Sequence, residues 1–270
     1  MTQLIAVIFI GAFGRSISSD STSPTYLLNN MVFLVGVTLI YVPYKKLALH
    51  SIGVLIISLA ITFETYVLMA TFWDSCFNGF NTEFQLNILL LVRSSFCQLA
   101  VLLIFMDFIG IFAYWQIYLM IAPLIGVGYS LNSAILIQGL KIFDGGGGIQ
   151  IFLFSGVLSL FIWLLSVRGK VVVSVHKKAE HYTGYTLSMI GIVICFVTWP
   201  QFNRSGGLVT VSNTILTSSA TLEASAVPNT IFALSVGLLM GMLFLTNDGI
   251  QSSKMKLKTY IDCFFNVIGI

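Results

Sequence analysis

The chain has 270 residues, of which 57% are hydrophobic and 9% are charged. Its mean hydropathy is +0.96. A soluble domain of this length is excluded, because the chain has too few polar residues to cover a water-exposed surface. The formal net charge of +3 comes from scattered basic residues and carries no nucleic-acid signature. Composition therefore predicts an all-α, polytopic bundle of transmembrane helices with about eight or nine spans.

Long apolar runs separated by polar breaks recur along the chain, and most approach the ~20 residues that a helix needs to cross a bilayer. We predict eight spans: Leu4–Phe13, Asn30–Val42, Ser51–Trp73, Leu86–Gly110, Ile117–Leu140, Ile149–Val167, Tyr185–Trp199 and Ile231–Leu245. The segment Leu208–Val227 would be a ninth. It is rich in Ser, Thr and Asn and contains Glu223, so it would enter the membrane reluctantly.

Basic residues in the short loops predict the orientation, because lysine and arginine prefer the cytoplasmic side. Lys45 and Lys46 follow the second span, and the basic stretch Arg168 to Lys178 follows the sixth. An even number of spans separates these loops, so both can be cytoplasmic. The N-terminus is then inside and the loop at Asp144 outside. The lysines between Lys254 and Lys258 also reach the cytoplasm only if there are eight spans, which favours eight over nine.

Two polar features interrupt the apolar stretches. Glu64 lies near the middle of the third span, where an ionised carboxylate costs roughly 2.5 kcal/mol or more unless it finds a partner or faces the bundle interior. It is either a polar residue of a transport pathway or a hydrogen-bonded contact between helices, and the second reading is slightly favoured. Asp144 is followed by four glycines; an aspartate there can cap a helix, and glycines let neighbouring backbones approach closely.

The sequence offers no catalytic or metal-binding pattern inside the membrane. Its three histidines, His50, His176 and His181, all lie in predicted loops, and its four cysteines lack metal-binding spacing. No Ser/His/Asp, HExxH, P-loop or GxGxxG pattern occurs. We therefore expect no enzyme activity, no cofactor and no metal.

Four motifs follow one another in order along the chain: Met31 to Gly36 before Lys45-Lys46, then Ser95-Phe96-Cys97, then Asn132 to Leu136 leading into Lys141 to Gly146, and Trp199-Pro200-Gln201-Phe202-Asn203. Together they resemble the Rh glycoprotein branch of the ammonium transporter superfamily. The third resembles an Asn-Glu-Phe-Ile-Leu segment before Asp-Ala-Gly-Gly, and the fourth the Rh signature Trp-Pro-Ser-Phe-Asn.

The resemblance implies a narrow hydrophobic pore for ammonia or ammonium in each protomer of a trimer. Such a pore has an aromatic gate at its outer mouth and two histidines in mid-membrane. The gate falls on Phe96 and Phe202, and Trp199 belongs to the same motif as Phe202. Asp144 corresponds to an aspartate near the outer vestibule, with a structural or cation-favouring role.

Three positions depart from the family pattern. Phe152, eight residues after the aspartate, stands where the family has its first pore histidine, and Ile268 stands where it has the second. Ser133 replaces a vestibule glutamate of Rh proteins. Without imidazoles a dehydrated ammonium ion lacks hydrogen-bonding partners, and an isolated charge in a dry site is very costly.

The chain is expected to form a single ammonium-transporter-like membrane domain, shorter than family proteins. Residues 1–142 resemble the initial helix and most of the first of two inverted repeats; residues 143–270 complete that repeat and add part of a truncated second one.

The expected function is Rh-type, channel-like transport of ammonium or ammonia, weakened or altered by loss of the pore histidines. The expected setting is the plasma membrane, in a homotrimer or a mixed trimer with Rh-family chains. The alternative is a non-conducting structural subunit of a Rh-type hetero-oligomer, and a third possibility is a chain that never folds stably.

Overall fold

The computed structural model describes residues 15–16, 25–40, 48–78, 85–86, 88–108, 112, 114–142, 144, 146–168, 182–211 and 219–249. Seven helices make up nearly all of this part of the chain. They are α1 (Thr25–Ile40), α2 (Ala48–Asn78), α3 (Ile88–Phe108), α4 (residues 114–139), α5 (residues 148–168), α6 (Tyr182–Val211) and α7 (Ser219–Gly249).

Two of the helices contain π-helical turns. In α4 these are Ile117–Ile121 and Ile135–Gly139, on either side of the α-helical Ala122–Ala134. In α5 the first turns, Gly148–Leu153, are π-helical and lead into Phe154–Arg168. The two-residue segments Arg15–Ser16 and Gln85–Leu86 pair in parallel. Apart from these two short segments, the elements of the described residues are helices, so the predicted all-α helical bundle is confirmed.

Four helices of the described part are long and apolar enough to cross a membrane: Ile52–Phe77, Ile117–Gly139, Gly148–Leu165 and Thr186–Ser205. Shorter apolar helices cover Tyr26–Ile40, Leu89–Phe105 and Ser225–Met240. Seven of the eight predicted spans thus coincide with helices.

Several sequence predictions lie outside the described residues, among them the span Leu4–Phe13, the basic loop at Lys45 and Lys46, and Ile268. The doubtful segment Leu208–Val227 is described in part. Residues 208–211 end α6 and residues 219–227 begin α7, so its described residues belong to the ends of two helices.

Helix α3 lies at the centre of the bundle, because every residue from Ser94 to Phe105 is buried. Helix α5 is the most peripheral of the four long spans. Of the Gly148–Leu165 span 17% is buried, against 47% of Ile117–Gly139. Much of the α5 surface is therefore free to face lipid or another polypeptide.

Helices α1 and α6 cross with their backbones almost in contact. A Cβ added to Gly191 would lie 2.6 Å from the carbonyl oxygen of Gly36 and 2.8 Å from the backbone nitrogen of Ile40. Near the same crossing, the buried Ser188 hydroxyl donates a hydrogen bond to the Ile40 carbonyl at 3.0 Å. Small residues allow this approach, as in other membrane helix pairs.

Candidate functional site

Five aromatic side chains from four helices form one contiguous group, hereafter the aromatic cluster. The rings of Phe96 on α3 and Phe202 on α6 have centroids 4.7 Å apart. Phe33 on α1 lies 4.5 Å from Phe202 and meets Trp199 edge-on at 5.0 Å. Phe152 on α5 stacks on Trp199 at 6.5 Å. These separations are typical of favourable aromatic contacts.

The centre of the aromatic cluster is dry. Phe33, Phe96 and Phe202 expose 0%, 4% and 1% of their surface, whereas Phe152 and Trp199 are half-buried. Because the Phe96 and Phe202 rings pack directly against each other, a small molecule could pass between them only if a ring moved. The predicted gate pair therefore forms a closed contact, and Phe152 lies at the edge of the same cluster.

Asp144 caps the start of α5. Its Oδ2 accepts hydrogen bonds from the backbone N–H groups of Ile149 at 3.0 Å and Gln150 at 2.9 Å. The first N–H groups of a helix have no partner within the helix, so a carboxylate at this point stabilises it. Gly147 just before the helix has φ +74°, and a Cβ there would lie 2.5 Å from Ile151 Cδ1. The expected capping role is thus present in the same first turns of α5 that carry Phe152.

The start of α5 lies beside the end of α6. A Cβ at Gly146 would be 3.8 Å from Oδ1 of Asn203, whose amide donates to the Thr230 hydroxyl of α7 at 3.0 Å. Arg204 follows, with its guanidinium 5.5 Å from the ring centre of Tyr26 at the start of α1. This end of the bundle, hereafter the cap end, carries charge of both signs.

A fully buried polar network lies at the cap end, beside the aromatic cluster. The Asn30 amide donates to the hydroxyl oxygens of Ser95 at 2.8 Å and Ser205 at 3.1 Å. All three side chains are 0% exposed. Neither this network nor Phe33 was predicted from the sequence as part of the site. Each polar residue lies within one helical turn of an aromatic residue, but which helices meet could not be read from one sequence.

Ser133 lies away from the aromatic cluster, in a polar recess between α2, α3 and α4. The recess has room for about one water molecule and is lined by Tyr66, Ala70, Asp74, Arg93, Ser130, Ser133, Ala134, Ile137 and Gln138. The Gln138 amide donates to the Asp74 carboxylate. The Ser133 hydroxyl points to Oε1 of Gln150 at 3.5 Å, which connects the recess to the capped turn of α5.

Glu64 is half-buried on α2 and takes no part in the aromatic cluster. Both sequence-based readings of Glu64, a pathway residue and a contact between helices, stay predictions. Ile268, the position matched to the second pore histidine, lies outside the described residues.

Comparison with known proteins identifies the chain's relatives. The model of the Ammonium Transporter Family matches residues 7–260. Ammonium transporter Rh type B of Mus musculus is 27% identical over 182 residues, which cover 67% of this chain and 39% of the mouse protein. The Bos taurus protein of the same name is 29% identical over 146 residues, covering 51% of this chain and 32% of its own.

The human protein, also Ammonium transporter Rh type B, is 26% identical over 175 residues, or 65% of this chain and 37% of its own. The chain thus spans less than two fifths of the length of these relatives. Because the family model covers almost the whole chain and the relatives are Rh proteins, this polypeptide belongs to the ammonium transporter family, as a divergent integral membrane protein of its Rh branch.

Proposed function

We propose that the chain facilitates the passage of ammonia or ammonium across a membrane, with Phe96 and Phe202 as a gate. The closed contact between these two buried rings is the observation that carries the proposal. The similarity to ammonium transporters of Rh type B supports it. Aromatic faces attract cations, and rings in contact exclude hydrated ions while small motions admit a small solute.

The same proposal implies a weak activity. Beyond the gate, Phe152 supplies an apolar ring where a transport pathway for a charged species needs hydrogen-bonding groups. Its stacking on Trp199 also fills space beside the gate. We therefore expect a slow flux compared with a Rh relative that has pore histidines.

Proteoliposomes containing the purified full chain test the proposal. An inward ammonia gradient should change the internal pH faster than in empty vesicles, and more slowly than in vesicles with a Rh type B protein at equal density. For a gate variant such as Phe96→Ala, the matched control is Phe161→Ala, because the Phe161 side chain on α5 is 56% exposed and lies outside the aromatic cluster. A wild-type rate equal to that of empty vesicles would overturn the proposal.

The second candidate function is a non-conducting structural subunit of a Rh-type hetero-oligomer. The Phe152 ring on Trp199 favours it, and so does the sparse cover on α5, which leaves a long apolar surface for a neighbouring chain. Co-expression with a tagged Rh relative tests this second candidate, and the proteoliposome rate above tests whether the chain itself conducts. A stable mixed trimer supports the subunit function, whereas a homotrimer that excludes the relative counts against it.

Orientation, assembly and domain organisation complete the proposal. We place the N-terminus in the cytoplasm, the cap end outside, and the chain in the plasma membrane as a homotrimer or mixed trimer. We assign residues 1–142 and 143–270 to the two parts of the repeat arrangement expected from sequence. The close crossing of α1 and α6 at Gly36 and Gly191 supports this assignment, because equivalent helices of inverted repeats meet at the repeat interface.

A further inference from the structure

We propose that Asn30, Ser95 and Ser205 are positioning residues that set the spacing of the aromatic cluster and hold the Phe96–Phe202 contact closed. The network joins α1, α3 and α6 through side chains that are 65 and 175 residues apart in sequence. Its consequence for transport rests on the proposed function, but its effect on the aromatic cluster does not.

Each member of the network is tied to one ring of the aromatic cluster. Ser95 immediately precedes Phe96, and Asn30 lies one helical turn before Phe33, on the same face of α1. The Ser205 hydroxyl lies 2.6 Å from the carbonyl oxygen of Phe202 and 3.3 Å from Oδ1 of Asn30. A shift of Asn30 relative to either serine therefore moves a ring against its neighbour.

The chemistry of the network makes this spacing specific. Both N–H bonds of the Asn30 amide are used, one for each serine. Apolar packing of rings tolerates sliding, whereas hydrogen bonds require defined distances and angles. In a site that excludes water, an unpaired amide would be costly, so the three helices are held at one separation.

Substitution of Asn30 by leucine separates positioning from folding. Leucine branches at the same carbon as asparagine and needs no hydrogen bond, but its methyl groups are larger than the amide, so the serine variants below must change in the same direction for the result to support positioning. Ser95 keeps its own acceptor, the Val92 carbonyl at 2.6 Å, and Ser205 keeps the Phe202 carbonyl at 2.6 Å. In Asn30→Leu both serine hydroxyls therefore still have a hydrogen-bond acceptor. Ser95→Ala and Ser205→Ala each remove one hydroxyl and serve as milder variants if the leucine variant fails to fold.

Ser188→Ala is the matched control. Ser188 is also 0% exposed and also links α1 to α6, through its hydrogen bond to the Ile40 carbonyl. It lies 14 residues from Phe202 along α6, away from the aromatic cluster. If buried hydrogen bonds between these helices only stabilised their packing, Asn30→Leu and Ser188→Ala should disturb that packing equally.

The test needs no transport. In the full chain with Trp73, Trp115 and Trp163 replaced by phenylalanine, Trp199 is the sole tryptophan and reports on the Phe33 contact. We expect Asn30→Leu to raise the acrylamide quenching constant of Trp199 by about twofold or more, because local opening becomes easier. The two alanine variants should change it in the same direction, and Ser188→Ala should leave it unchanged.

Transport adds a second readout in proteoliposomes. A loosened gate should raise the ratio of methylammonium to ammonium flux in Asn30→Leu and leave it unchanged in Ser188→Ala. No flux in the wild type would defeat the proposed function and leave the quenching test standing. Equal quenching in Asn30→Leu, Ser188→Ala and the wild-type background, or equal increases in both variants, would overturn the positioning role.

Discussion

Phe152 is the residue at which this chain departs most sharply from a pathway for a charged solute. Its ring stacks on Trp199 at the edge of the aromatic cluster. Because the phenylalanine side chain has no hydrogen-bonding atom, it cannot stabilise a dehydrated cation there. The stacking also means that a substitution there removes an aromatic contact as well as changing polarity.

We predict that Phe152→His alone does not produce fast ammonium conduction. One imidazole supplies hydrogen-bonding atoms at a single point, while Ile268, matched to the second pore histidine, stays apolar. The proteoliposome pH assay measures the rate, with Phe152→Leu as the control for loss of the ring. A rate equal to that of a Rh type B protein would show that one imidazole is sufficient.

At Asp144 the prediction concerns stability. Asp144→Ala removes the acceptor of two backbone N–H groups and should lower the free energy of unfolding by about 1–2 kcal/mol. Asp144→Asn keeps an acceptor oxygen and should lose much less. Thermal unfolding in detergent measures both variants. If asparagine is as damaging as alanine, the negative charge of Asp144 matters more than its capping hydrogen bonds.

At the scale of elements, the crossing of α1 and α6 depends on the absence of side chains. Gly191→Ala would place a Cβ 2.6 Å from the Gly36 carbonyl oxygen and must push the helices apart. We expect the free energy of unfolding to fall by about 1–3 kcal/mol, as for other overpacked sites. Gly156→Ala is the control, since a Cβ there meets no atom within 4 Å and alanine favours a helix. Size-exclusion profiles after heating should show Gly191→Ala aggregating first; equal melting of the two variants would contradict the close crossing.

The helices were largely predictable from sequence because apolar runs of this length have few other folds in a membrane. The end of α6 and the start of α7 were not. Pro200 and the many hydroxyl residues predict a break, yet α6 continues to Val211 and α7 begins at Ser219. The Thr198 and Thr230 hydroxyls donate to carbonyls four residues earlier at 2.7 Å, so these polar side chains are accommodated within helices.

For the candidate site, sequence motifs identified Phe96, Phe152, Trp199 and Phe202, which the structure brings together. They did not identify Phe33 or the network around Asn30. Whether a residue belongs to the aromatic cluster or to the network depends on which faces of distant helices meet. Such contacts arise from tertiary packing, which no local sequence pattern reveals.

At the scale of the whole molecule, the bundle has a dry aromatic centre, a capped polar end and a thinly covered α5. The thinly covered α5 leaves a surface that can face lipid or another polypeptide. We expect Asp144, Asn203 and Arg204 to lie on the outer side. In a background whose four native cysteines, among them the exposed Cys76, are replaced by serine, cysteines placed at these positions should react with an impermeant maleimide added to intact cells. Reaction only after permeabilisation would reverse the proposed orientation.

The central claim is that the Phe96–Phe202 contact gates the passage of ammonia or ammonium. The most direct measurement compares wild-type chain, Phe96→Ala and empty vesicles in the proteoliposome pH assay, with methylammonium as the larger probe. We predict a wild-type ammonium rate above that of empty vesicles and a higher methylammonium-to-ammonium ratio in Phe96→Ala. A wild-type rate equal to that of empty vesicles, or a ratio that Phe96→Ala leaves unchanged, would contradict the claim.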